Sequence, residues 1–147
     1  MEILHEPNPI LRQKAKKIKD PLSAKIQKLI PEMLKTMRQG KGMGLAAPQI
    51  GESIRLCTIE EDGRVYILIN PQIKSSSKEK TISEEGCLSI PGKHFAIERS
   101  EGVKVRYLNE KGEKCKLKTQ GLLARAFQHE IDHLDGILVI DRAQKNI

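Results

Sequence analysis

The stretch QHEIDHLDG, residues 128–136, sets two histidines four apart, His129 and His133, with Glu130 between them. On a helix, residues at i and i+4 project from one face a turn apart, so both imidazoles can grip one metal ion. Leu123, Phe127 and Ile131 recur at helical spacing around the motif, and Gly136 offers a left-handed stop. That pattern predicts a helix from about Gly121 to Leu134 with those three side chains in the core. A metal that activates water takes three protein ligands and keeps one position open. The rest of the chain must supply the third.

Downstream the supply is thin. In longer motifs of the form HExxHxxGxxH, the last histidine falls where this chain has Val139, which cannot ligate. Only 14 residues follow His133, too few for a further helix carrying a glutamate ligand. Asp135 and Asp141 remain, but Asp135 reads more simply as a polar residue at the helix end. Upstream, His5 and His94 stand alone, as surface or core histidines do. Cys57 lies in an apolar run and reads as a small hydrophobe. Cys115 lies between Lys114 and Lys116, as an exposed strand position does. Cys87 stands in EEGCLSIPG, beside Gly86 and just before the turn signal Pro91-Gly92. A thiol presented this way makes Cys87, His129 and His133 a candidate Cys-His₂ site. The competing reading is two helix-surface histidines beside a charge. The stretch GKGMGLAAPQIG, residues 40–51, reads on its own as a tight turn entering the first strand, with Gln49 a free amide.

Composition narrows the setting. The 147 residues carry a formal charge of +7, which favours phosphate-bearing or other negative partners, although lysine and arginine also coat ordinary proteins. Tryptophan is absent and aromatics make up 3%, which argues against a stacking platform for sequence-specific nucleic-acid recognition. No apolar run of about 18 residues exists to cross a membrane. The N-terminus lacks the basic and apolar regions of a signal peptide. Three scattered cysteines form no disulfide framework. A cytoplasmic protein is expected.

Neither a repeat nor a linker divides the chain, so residues 1–147 are read as one domain. Asp20-Pro21 looks like a helix start, followed by Leu22, Ile26, Leu29, Ile30, Met33, Leu34 and Met37 at helical spacing. Pro31 should kink that helix or delay its start, and Gly40 and Gly42 should end it. Between there and residue 120 lie four β-like runs: IRLCTI, VYILIN, GVKVRYL and KCKLKT. Asp62-Gly63, Asn70-Pro71, Pro91-Gly92 and the Asn109–Gly112 segment punctuate them as turns. SSSKEKTISEE, residues 75–85, reads as a polar loop. The fold class is α+β: an N-terminal helix, small antiparallel or mixed sheets, and the metal helix last.

Three segments together carry a resemblance. GMGLAAPQ (42–49), EGCLS (85–89) and QHEIDH (128–133) are similar, in this order, to the three signatures of the peptide deformylases; residues 3 to 142 look like the family. The resemblance implies hydrolysis of the formyl group from the N-formylmethionine of nascent polypeptides. It implies Cys87, His129 and His133 as metal ligands, with Fe²⁺ as the working ion and Zn²⁺, Ni²⁺ or Co²⁺ as alternatives. Glu130 would take a proton from water, and Gln49 and the backbone N–H of Leu88 would meet the developing oxyanion. Gly42, Met43 and Gly44 would pair with an extended peptide, and Ala126 or Phe127 would line the methionine pocket. A transient association with the ribosome belongs to the same picture, but the chain stops at Ile147, where many relatives continue into a basic docking helix, so that mode is expected to be absent or reduced. His94 stands where some relatives carry arginine. Two other classes are a small HExxH metallopeptidase, which would cleave unformylated peptides, and a basic module with a structural metal, which would want four protein ligands where the sequence offers three. Glu85 and Arg99 flank the cysteine loop and are expected to pair and brace it.

Overall fold

The runs LCTIEE and VYILIN become β2 (Leu56–Glu61) and β3 (Arg64–Ser76) of a computed structural model that describes residues 1–143. Residues 144–147 lie outside the described part, and with them Ile147, on which the docking-helix expectation turns, and the last stretch of the expected domain. Asp62 and Gly63 both take positive φ, 50° and 77°, giving the two-residue turn whose twist matches a hairpin. With β1 (Gly44–Ala46), β6 (Gly102–Leu108) and β7 (Lys114–Gln120) they build a five-stranded sheet in the order β1-β2-β3-β6-β7. Among the described residues every strand pairing is antiparallel, and the one parallel contact is an isolated bridge from Lys16 to Ile54.

Helix α1 (Ala24–Gln39) covers one face of this sheet and α2 (Gly121–Leu134) the other. Leu123, Phe127 and Ile131 of α2 pack with Cys57, Ile59, Leu68, Val103 and Val105, as the helical spacing predicts. Met33 and Met37 of α1 pack with Leu45, Leu56, Ile67 and Ile69. Strands β2 and β3 are thus buried on both faces, which is why they read as continuous apolar runs rather than alternations. Strands β6 and β7 are covered mainly by α2; only Leu108, at the end of β6, packs against the cluster on the α1 side. Val103 and Val105 point inward, and Lys104 and Arg106 face solvent on the side that α1 does not reach.

Several expectations need correction. Helix α1 starts at Ala24 rather than at Asp20-Pro21: Ser23 is the cap, its Oγ accepting from the Ile26 N–H, and Asp20 heads the turn before it. Pro31 lies within α1 and does not delay its start. Asn70-Pro71 is not a strand end but a bulge inside β3, where Asn70 takes φ 52° and its amide clasps the backbone N–H and carbonyl of Ile18. The supposed polar loop 75–85 is mostly strand: β3 runs to Ser76, and β4 (Lys80–Cys87) pairs with β5 (Ile90–Ser100) as a separate two-stranded sheet. Pro91-Gly92 belongs to β5, and the turn of this hairpin is Leu88-Ser89. The metal helix is not last, since a one-turn helix α3 (Val139–Arg142) follows and packs on β5 through Val139.

At the end of α2, Gly136 takes φ 74°, and the preceding Leu134 carbonyl accepts from the Ala15 N–H and the Arg55 guanidinium. A Cβ on Gly136 would stand 2.5 Å from the Arg12 carbonyl oxygen, a rigid backbone atom. Gly136→Ala combines that clash with a left-handed conformation, so we expect it to destabilise the fold by roughly 1–3 kcal/mol. Urea unfolding followed by circular dichroism reads the loss; a midpoint unchanged from the parent protein would contradict this packing.

Candidate metal centre

Cys87 sits at the last position of β4, beside the Leu88-Ser89 turn, and His129 and His133 sit one turn apart on α2. Their ligand atoms all lie within 4.8 Å of one another. Cys87 Sγ is 3.4 Å from His133 Nε2, and two ligands sharing one tetrahedral ion stand about 3.5 Å apart. His129 Nδ1 is 2.9 Å from Glu85 Oε1 and donates to that carboxylate, which leaves Nε2 as the nitrogen a metal would take in place of its proton. His133 is held neutral by burial, which drives its pKa well below the usual imidazole value, and the cationic His129 and Arg99 add to the effect. With their protons displaced on binding, the Cys87 sulfur and the two imidazole nitrogens would form a donor set suited to a borderline divalent ion.

The electrostatics ask for a cation here. Burial opposes charge on His129, yet Glu130, Cys87 and Glu85 together push its pKa up to about 10 in the metal-free chain. Burial likewise pushes Glu130 up to about 7, although His129 and Arg99 pull it down. Glu130 Oε1 is buried with no hydrogen-bond partner among the described residues, an acceptor left open beside the cluster. Such a carboxylate, near neutrality in its pKa, suits proton transfer to or from water.

The glycine-rich stretch forms the adjoining wall. Strand β1 is an edge of the five-stranded sheet. The Met43 carbonyl accepts from the Glu60 N–H, and the Ala46 N–H donates to Gln49 Oε1 instead of to β2. By alternation, the N–H and carbonyl of Gly44 point to the open edge. A Cβ on Gly44 would meet Glu130 Oε2 at 2.5 Å, so only glycine lets this carboxylate approach. With its oxygen engaged by Ala46, Gln49 directs Nε2 toward Ser89 Oγ at 3.1 Å and Cys87 Sγ at 3.7 Å. Gly42, Met43, Gly44, Gln49, Leu88, Ala126, Glu130 and two candidate ligands, Cys87 and His129, line one cavity of about 320 Å³; His133 is buried and does not line it. Phe127 does not line it: it is fully buried in the core, edge-on to Tyr66. His5 and His94 stand outside the cluster, as do Cys57 and Cys115.

Glu85 and Arg99 pair as expected, through two bonds of 2.7 and 3.0 Å. Sequence reasoning missed the other members of the network. Arg125 Nη1 donates to Glu85 at 2.5 Å and to the Ile97 carbonyl, and Arg99 continues to Asp132 at 2.9 Å. Arg125 and Asp132 lie four before and three after His129, a helical spacing that places them on its face. Ser89 carries no comparable signal. Burial would raise the pKa of Glu85, but His129 and Arg99 outweigh it and hold the carboxyl down to about 2.

Residues 1–146 match the family described as polypeptide deformylase. A peptide deformylase of a Picosynechococcus strain is 43% identical over 152 aligned positions, covering 100% of this chain and 81% of that protein. One from Thermodesulfovibrio yellowstonii is 45% identical, covering 97% and 88%. The crystal structure of peptide deformylase from Thermotoga maritima superposes with a TM-score of 0.94 at 40% identity, covering 97% of each chain. That of Synechococcus elongatus peptide deformylase in complex with actinonin gives 0.96 at 39% identity, covering 99% of this chain and 80% of that one.

A carboxyl whose folded pKa is depressed contributes stability that is present above its unfolded value, about 4.3, and lost as pH falls toward 2. For Glu85 the effect is on the order of 3 kcal/mol. In chelator-treated protein, we expect the parent to lose stability steeply between about pH 4.5 and 2. Glu85→Gln should be less stable at neutral pH but flatter over that range. Urea midpoints taken across the range decide it, and parallel curves would remove Glu85 as the acid-labile group.

Proposed function

Since the chain belongs to the polypeptide deformylase family, we propose that it removes the formyl group from N-formylmethionyl nascent peptides, with residues 1–147 acting as one catalytic domain. The observation that carries this reading is the single cavity in which the Cys87-His129 edge of the ligand cluster, Glu130, Gln49 and the open edge of β1 meet.

Cys87, His129 and His133 hold the metal, which when bound acidifies a water molecule and polarises the formyl carbonyl. The family likeness and the thiolate–imidazole donor set support Fe²⁺ as the working ion, with Zn²⁺, Ni²⁺ and Co²⁺ as substitutes. Glu130 is not a ligand. Its partnerless Oε1 accepts the proton of the attacking water and returns it to the leaving amine. As the formyl carbon becomes tetrahedral, its oxygen gains charge, and the Gln49 amide and the Leu88 N–H donate to it. Gln49 is oriented for this because Ala46 fixes its other atom. The peptide binds as an added strand along Gly42, Met43 and Gly44, and the N–H and carbonyl of Gly44 supply the main-chain contacts. Ala126 and Leu88 flank the space for the methionine side chain. A cytoplasmic setting and a transient association with the ribosome follow from the substrate, and no helix among the described residues is long and apolar enough to cross a membrane.

Glu130→Gln should retain stoichiometric metal and lose at least a hundredfold in turnover of formyl-Met-Ala-Ser, consistent with removal of a general base. Cys87→Ala and His133→Ala should lose metal and activity together. Metal analysis beside the deformylation assay separates the cases: a Glu130→Gln protein that loses its metal makes Glu130 a ligand, and one that turns over at the parent rate removes it from proton transfer. Hydrolysis of unformylated peptides at comparable rates would replace deformylation with peptidase activity.

A thiolate beside Fe²⁺ invites oxidation. Enzyme purified anaerobically with Fe²⁺ should lose activity within hours in air, whereas enzyme loaded with Ni²⁺ or Co²⁺ should keep it. An air-stable, iron-loaded enzyme would count against Fe²⁺ chemistry exposed at this cavity.

A further inference from the structure

On the outer face of β6 and β7, cations stand opposite cations. Arg106 lies directly across from Lys116, and Lys104 directly across from Lys118, all four exposed. Like charges placed directly opposite one another weaken an antiparallel pair. None of the four has a carboxylate partner among the described residues. Lys74 of β3 extends the group and lines the same shallow depression.

Beside it runs an open groove of about 1080 Å³, where Lys14, Lys17 and Lys114 join Arg106 and Lys116. Its one carboxylate, Asp135, is already matched by Arg55 at 3.1 Å. The groove and the depression beside it thus present a run of cations that, Arg55 aside, have no ion-pair carboxylate among the described residues; Glu79 and Glu101 stand near Lys104 and Lys118 at the far end without pairing with them.

We propose that this face docks the phosphodiester backbone of a nucleic acid, which supplies the anions that the opposed cationic rows lack. Successive outward lysines on β7 (Lys114, Lys116 and Lys118) stand about 6.8 Å apart, two strand residues each. A chain of phosphates can follow such a ladder, whereas a small anion would satisfy only one or two of its members. A lipid surface fits less well: the exposed large apolar side chains are Met1, Leu22, Val65, Ile82 and Leu122, and none lines the groove. Its one aromatic lining residue is the half-buried Tyr107, so the contacts are to backbone and independent of base sequence. No residue of this groove lines the cavity at the metal centre, so docking leaves that cavity open.

The test uses the metal-loaded full chain and fluorescence anisotropy with a labelled 20-nucleotide RNA of mixed sequence, a DNA strand of the same length, and phosphatidylglycerol vesicles. We expect both strands to bind, with affinity falling linearly against log salt at about 0.7 per phosphate contact. The triple variant Lys104→Gln, Lys116→Gln, Lys118→Gln should bind at least tenfold more weakly and lower that slope by about 2. A charge-matched variant, Lys19→Gln, Lys28→Gln, Lys35→Gln, should stay within threefold of the parent. Turnover of formyl-Met-Ala-Ser should be unchanged in the first triple, and its Tm no lower than the parent's, because repulsion has been relieved. Equal loss in both triples would reduce the effect to net charge and overturn the site. Absence of strand binding, or tighter binding to vesicles than to either strand, would overturn the proposal as well. None of these outcomes bears on deformylation.

Discussion

Glu85 accepts hydrogen bonds from three side chains at once: Arg99 on its own hairpin, and Arg125 and His129 on α2. The placement of the metal cluster depends on this carboxylate. Cys87 rides on a two-stranded sheet separate from the main one, while both histidines ride on α2, so the cluster exists only if hairpin and helix keep a fixed relation. Apolar packing alone holds them loosely, since the cluster under the hairpin is small: Ile90, Ile97 and Val139 are its buried members. The ion network supplies direction. Arg99 bridges Glu85 to Asp132, and Asp132 also accepts from Arg142 of α3, so three elements are tied through two carboxylates.

Buried ion pairs often add little net stability, because desolvation offsets their attraction. Here nearly every lone pair and N–H is used: Arg125 also donates to the Thr81 carbonyl and hydroxyl, and Arg99 spends both sides of its guanidinium. Such an arrangement tolerates few alternatives, which suits a site whose ligand atoms must stay within ångströms of one another. The bond from Glu85 to His129 Nδ1 shows the coupling directly. The same carboxylate that fastens the hairpin also orients the ring of a candidate ligand.

What the sequence disclosed follows from where burial is periodic. Helix α2 was legible to the residue because its apolar side chains repeat at helical spacing and glycine stands at each end, Gly121 and Gly136. The apolar strands β2 and β3 were legible for a different reason: burial on both faces makes them short continuous apolar runs bounded by turn residues. The hairpin β4–β5 was not, because β4 is exposed at almost every position and shows no alternation; Glu85 is its one buried residue. Its strands are specified by long-range pairing and by the arginines of the network, and neither leaves a local pattern. Asn70-Pro71 and Pro91-Gly92 carry turn chemistry but sit inside strands, where the first makes a bulge and the second lies in a sheet with no third strand to pair. The three candidate ligands were reachable by elimination. Arg125 and Asp132 were reachable in principle from their spacing to His129, but a charge on a helix is usually read as solvated, and only the fold shows that this face is buried.

Gly44 joins the two halves of the site. It is a residue of the edge strand β1, and its missing side chain is what admits the Glu130 carboxylate, since a methyl group there would stand 2.5 Å from Oε2. In the proposed reaction the same residue offers its N–H and carbonyl to the peptide. In that proposal, the separation between the peptide backbone and the Glu130 carboxylate is set by the absence of one methyl group. A larger residue there would press on Glu130, whose Oε1 has no hydrogen-bond partner among the described residues and whose Oε2 lies 3.9 Å from His129 Nε2. Proton transfer is steeply sensitive to donor–acceptor distance. The glycine that looked from sequence like part of a simple turn is a spacing element, and its demand arises from α2, some 86 residues further along the chain.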